Sequence, residues 1–120
     1  MNSSRRFHRI DLSSEVSVTY GDKRYNGMLG AISLGGAAIN FNGSTMIPEN
    51  DDCVVCVSLD EKQPPLELQA KITNSSISRI GVAFVNMDET TRESLFNSLT
   101  RLSCRPESLA QEYRLLIALS

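Results

Sequence analysis

The sequence predicts a mainly β protein, a small six-stranded antiparallel β-barrel followed by C-terminal α-helices. Three observations predict it. Between Glu15 and Val85, short apolar runs, several alternating with period two, are separated by turn residues. After Asp88 the apolar spacing lengthens to that of a helix. The 120 residues suffice for one domain with a modest core and not for two. In so small a sheet, closure removes the exposed edges, so a barrel is preferred to an open sandwich.

The elements follow in order. Residues 1–14 are polar, with Arg5, Arg6 and Arg9 clustered around Phe7 and His8, and are expected to form a flexible basic arm. Val16, Val18 and Tyr20 alternate with Ser17 and Thr19, which predicts a half-buried strand over Glu15 to Tyr20. Gly21-Asp22 is a two-residue hairpin signal. A second strand is expected from Lys23 to Leu29. A third, Gly36 to Phe41, places Ala37, Ile39 and Phe41 on one face. Asn42-Gly43-Ser44 marks a turn and residues 48–52 a polar loop. Cys53 to Leu59 is too apolar for an edge with one wet face and reads as a central strand. After the loop with its double proline, Leu66, Leu68, Ala70 and Ile72 alternate with polar residues. Asn74 to Ser78 turns the chain, and Arg79 to Val85 is the last strand.

Leu95, Leu99 and Leu102, with Phe96 beside them, share one helical face. Asp88 or Thr90 is placed to cap its start, and Thr90 with Glu93 fits a capping box. Pro106 suits the first turn of a second helix, whose apolar side is Leu109, Tyr113, Leu116 and Ile117. The expected organisation is an arm over 1–14, a barrel with its packing helix over 15–103 and a helical extension over 104–120.

Composition excludes several classes. A net charge of −2 gives no whole-molecule attraction to a polyanion, so phosphate affinity has to come from a local basic patch. Aromatic residues make up 6% and no basic-aromatic strand face is present, so general DNA or RNA binding is not expected. No apolar run reaches a membrane span. Met-Asn-Ser-Ser-Arg-Arg leads into no apolar core, so no secretory signal is expected and a cytoplasmic location is.

Three cysteines argue against a disulfide framework. Cys53 and Cys56 stand three apart on a predicted strand, where they point to opposite faces and cannot chelate together. No metal site is expected. With His8 as the sole histidine, no nucleophile–base pairing is suggested; the acidic pairs Asp51-Asp52 and Asp88-Glu89 read as turn and helix-start residues. No catalytic residue is assigned, and no enzyme is expected.

Two features remain. Arg5 and Arg9 are spaced R-x-x-x-R. Each guanidinium offers a planar fork that matches phosphate oxygens or the O6/N7 edge of guanine, and a flat face that stacks on a base. The stretch Gly30 to Ile39 holds a turn with Ser33, Gly35 and Gly36. Glycine allows positive φ or close backbone approach, successive amides can form an anion-binding concavity, and a hydroxyl adds a donor. Together they suit a ligand that carries guanine and phosphates.

The combination resembles the PilZ domain family of bacterial cyclic di-GMP receptors. The resemblance rests on Arg5-Arg6-Phe7-His8-Arg9-Ile10, on Ala31-Ile32-Ser33-Leu34-Gly35-Gly36 set against the family's (Asp/Asn)-x-Ser-x-x-Gly, and on Arg79 to Val85 as the last core strand before an amphipathic helix. It implies a barrel that binds cyclic di-GMP on its outer surface. Arg5 and Arg9 would hold guanine edges and phosphates, and Arg6 would add stacking or charge. Ser33 would donate to the ligand, with Gly35 and Gly36 completing the turn and Gly36 permitting close approach. No cofactor is implied. The implied partners are cyclic di-GMP and an effector protein. Ala31 departs from the pattern: it stands where the family's side chain accepts from guanine N–H groups, and alanine accepts nothing. The alternative is a PilZ-like adaptor, for example in pilus or motility machinery, that no longer uses the nucleotide.

Overall fold

The hairpin signal at Gly21-Asp22 joins two long strands, β1 (Ile10–Tyr20) and β2 (Lys23–Ile32). The structure is a computed structural model that describes residues 10–43, 47–59, 64–103 and 106–119. Gly21 takes φ +63°, the left-handed conformation such a tight turn demands. β3 (Gly36–Phe41), β4 (Asp52–Val57), β5 (Leu66–Ser75) and β6 (Arg79–Phe84) follow. Every pairing is antiparallel, and the order β1-β2-β3-β6-β5-β4 closes on itself as a barrel. The predicted fold class is the observed one.

The barrel interior takes alternate residues of each strand. Val16 and Val18, Leu29, Ile39, Val55 and Val57, Leu68 and Ile72, Ile80 and Val82 form one continuous core. The two cysteines behave as period two requires: Cys53 is buried in this core, while Cys56 is half-buried on the other face. Burial pushes the Cys53 thiol up to about 11, with Asp52 nearby a smaller cause.

Three departures from the expectation have physical reasons. β1 starts at Ile10, with Ile10, Asp11 and Ser14 paired to β2, so residues 10–14 belong to the strand and not to the arm; the polar run Ser13-Ser14-Glu15 conceals this in the sequence. β2 continues to Ile32 because a bulge at Gly30 breaks its alternation and turns both Leu29 and Ile32 inward. Leu102 is 38% exposed at the last turn of its helix, where the buried face consists of Leu95, Ser98 and Leu99.

That helix, α1 (Glu89–Leu102), begins at Asp88, whose carboxylate accepts from the Thr91 amide at 2.7 Å. Asp88 is therefore the cap, and the Thr90–Glu93 box is not used. The hydrogen bonds from Thr91 hold the Asp88 carboxyl below its ordinary value. α1 packs on β5 and on α2 (Pro106–Leu119), which Pro106 opens as expected. Leu109 is fully buried, and the rings of Phe96 and Tyr113 stack at 4.2 Å, 6° from parallel. The expected contacts of Leu116 and Ile117 lie outside the described side chains.

Candidate functional site

The turn between β2 and β3 is held from within. The Ser33 amide donates to the Gly36 carbonyl at 2.8 Å. The Ser33 hydroxyl oxygen accepts from the amides of Gly35 and Gly36, both at 3.2 Å, and its O–H reaches the Gly36 carbonyl at a long 3.4 Å. Leu34 anchors the loop in the core at 4% exposure. The Phe84 amide donates to the Gly35 carbonyl at 2.9 Å, which ties the loop to the end of β6. Ser33 is itself buried.

The two glycines have a structural reason of their own. Positive φ occurs at Gly21 and Gly43 and not at Gly35 or Gly36. A Cβ at Gly36 would stand 2.1 Å from the Val82 carbonyl oxygen. Gly36 is thus needed for the approach of β3 to β6, whether or not a ligand comes near. Nor do the two amides form an open anion nest, because the Ser33 oxygen already takes both.

Ala31 faces outward, buried, with Ala38 of β3 opposite it on one side and Asp11 of β1 on the other. Ala38 in turn opposes Gly81 of β6. Residues opposed across a ladder share a face, so Asp11, Ala31, Ala38 and Gly81 form one row over the outer wall. Its middle carries nothing larger than a methyl, and Asp11 at its end is exposed. The sequence reading did not single out Asp11. Only the strand register places it beside Ala31, and the shift between Asp11 and Ser14 hides that register.

Arg5, Arg6 and Arg9 lie outside the described residues. The first described residue after them, Ile10, pairs with Ile32, the neighbour of Ser33. β1 therefore begins beside the Ser33 turn, at one end of the β1–β2 ladder.

A groove of about 770 Å³ opens elsewhere, on the outer wall across β4, β1, β2 and β3. It is lined by Ser17, Arg24, Asn26, Met28 and Asn40 among others. The Arg24 guanidinium donates to the Ser17 hydroxyl at 3.2 Å. Asn40 links groove and turn region, since its amide nitrogen lies 2.9 Å from where a Cβ on Gly30 would be. The Ser33 motif lies at the turn and not in this groove, and the turn is the candidate site. Among the described residues, no cluster of His, Cys, Asp and Glu is arranged to hold a metal, and no helix is long and apolar enough to cross a membrane.

Comparison with known proteins agrees with this fold. The family model for the PilZ domain matches residues 3–101, which spans both motifs, all six strands and most of α1. The Bacillus subtilis inhibitor of motility MotI/DgrA superposes with a TM-score of 0.70 at 15% identity, over 84% of this chain and 51% of that one. Escherichia coli YcgR in complex with c-di-GMP gives 0.71 at 18% identity, over 90% of this chain and 50% of that one. The PilZ domain of YcgR with c-di-GMP gives 0.69 at 17% identity, over 95% and 97%. This chain thus covers about half of the MotI chain and of the longer YcgR chain. No curated protein matches it in sequence.

Proposed function

We propose, since this chain belongs to the PilZ domain family, that it is a cytoplasmic cyclic di-GMP receptor that signals to a protein partner and catalyses nothing. The observation that supports the reading is the pairing of Ile10, the residue after Arg9 in the sequence, with Ile32, the residue before Ser33. Arg5 and Arg9 present forks to guanine O6/N7 and to phosphate, and Arg6 adds charge or stacking. Ser33 contributes its O–H, whose 3.4 Å bond to Gly36 is the loosest in the turn and the easiest for a phosphate oxygen to replace. Gly35 and Gly36 contribute the shape of the loop. Ordering of the arginine segment on the ligand would change the surface that a partner meets, and part of the binding energy offsets that ordering.

Similarity to YcgR in complex with c-di-GMP supports the ligand, and similarity to an inhibitor of motility supports a role in motility. Ala31 supplies no acceptor. A missing hydrogen bond of this kind costs about 1–3 kcal/mol, or roughly ten- to hundredfold in affinity, which weakens binding and leaves it detectable. Titration calorimetry with cyclic di-GMP on wild type and Arg9→Ala tests the reading. It stands if wild type binds at micromolar ligand and the variant loses most of that affinity. Absence of heat in both sinks it.

A second reading has its own support: the Ser33 oxygen and both glycine amides are already paired within the turn. On this reading the barrel is an adaptor that no longer uses the nucleotide. A pull-down unaffected by added nucleotide and by Arg9→Ala would favour it.

A further inference from the structure

Guanine presents two different edges. Its O6 and N7 accept hydrogen bonds and match arginine, whereas N1–H and the 2-amino group donate and need an acceptor. Arginine has no acceptor atom, and the Ser33 oxygen is occupied by two amides. A site made of Arg5, Arg9 and Ser33 alone would therefore leave the donor edge unread.

The sequence has no acidic residue between Asp22 and Glu49, so β3 and the Ser33 turn carry none, and β6 has none either. β1 has two, Asp11 and Glu15. Glu15 opposes Met28 and lines the groove. Asp11 opposes Ala31, is exposed, and shares its outer face.

We infer that Asp11 is the specificity residue of the nucleotide site, with its carboxylate accepting from guanine N1–H and the 2-amino group across the small floor of Ala31 and Ala38. The inference rests on the cyclic di-GMP reading. Opposed residues in a ladder hold their Cβ atoms about 4.5–5.5 Å apart. A carboxylate on position 11 therefore reaches over a neighbouring alanine to the space a longer side chain at 31 would occupy.

The test is calorimetry on the full chain with two probes, cyclic di-GMP and its inosine analogue, which lacks the 2-amino groups. Wild type should prefer the guanine ligand by about tenfold or more, the effect of one unmatched hydrogen bond. In Asp11→Ala that preference should collapse to within about twofold, and affinity for cyclic di-GMP should fall about tenfold or more. Ala31→Asp added to Asp11→Ala should restore both. If wild type binds and Arg9→Ala weakens binding, but Asp11→Ala keeps the guanine preference, the inference is overturned and the receptor reading survives. Equal weakening for both probes would assign Asp11 a structural role and also overturn it. No binding by wild type removes the receptor reading, and the inference with it.

Discussion

Replacing Gly36 by alanine should destabilise the barrel without any ligand being present. The new Cβ would fall 2.1 Å from the Val82 carbonyl oxygen, whereas ordinary contact starts near 3.4 Å. The Cβ has no torsion to turn about and the oxygen is backbone, so no side chain can swing aside. β3 and β6 must part by about 1 Å at the Gly36–Ala83 pair, which strains the ladder where β6 holds the turn. The bonds at stake include Phe84 N–H to Gly35 at 2.9 Å and Ser33 N–H to Gly36 at 2.8 Å. Losing or stretching two such bonds costs about 2–4 kcal/mol, and the smaller unfolded-state entropy of alanine returns up to ~1. The net loss of about 1–4 kcal/mol is a large share of a typical domain's ~5–15. Urea unfolding followed by circular dichroism reads this as a midpoint lower by about 1–2 M at unchanged slope. Gly30→Ala is the control, because its Cβ meets the side-chain amide of exposed Asn40, which can move, so it should cost less than about 1 kcal/mol. A midpoint for Gly36→Ala within ~0.2 M of wild type would refute the claim that β3–β6 approach requires this glycine. A corollary is that loss of ligand binding in Gly36→Ala cannot by itself identify a ligand contact.

Further outcomes are expected. Ser33→Ala leaves the Gly35 and Gly36 amides without their acceptor and should lower stability by about 1–3 kcal/mol in the same assay, before any ligand is added. Leu99→Ala, at a fully buried position where α1 meets the barrel core, should cost about 2–5 kcal/mol; a loss under ~1 would mean that α1 is not part of the cooperative core. Stability should also fall in alkali. Cys53, raised to about 11 by burial, and Tyr20, raised by its hydrogen bond to Asp51, both favour the fold while protonated. The Cys53 contribution is complete below about pH 9, the ordinary value of the thiol, and is lost as pH rises through about 11; that of Tyr20 is complete below its ordinary value of 10.0 and is lost above it. Urea midpoints across that range should decline, and Cys53→Ala should flatten the decline; an unchanged slope in the variant would contradict the burial argument. Asp88 acts in the opposite direction, since its lowered value adds stability that disappears as pH falls into the acid range.

Much of the architecture was legible because period-two alternation and turn chemistry act locally. Gly21-Asp22 announces its hairpin, and the C-x-x-C of β4 sends Cys53 and Cys56 to opposite faces, as strand geometry requires. What could not be read depends on pairing between strands. The bulge at Gly30 puts Leu29 and Ile32 on the same side although they are three apart, and β1 begins earlier than its polar run suggests. The helix start was ambiguous between two good caps, and Asp88 prevails by accepting from Thr91. The serine and glycines of the candidate site were visible as a motif, yet the reason for Gly36 lies in Val82, far off in sequence. Asp11 had no local signal, because its meaning comes from facing Ala31.

The central claim is the proposal that a guanine dinucleotide binds at the Ser33 turn with the help of Arg5 and Arg9. Amide chemical-shift mapping on the isotope-labelled chain titrated with cyclic di-GMP tests it most directly. The account predicts that the largest shifts fall on Asp11, Ala31, Ser33, Gly35 and Gly36, with Arg24, Asn26 and Met28 of the groove nearly still. Shifts confined to the groove residues, or none at millimolar nucleotide, would contradict it.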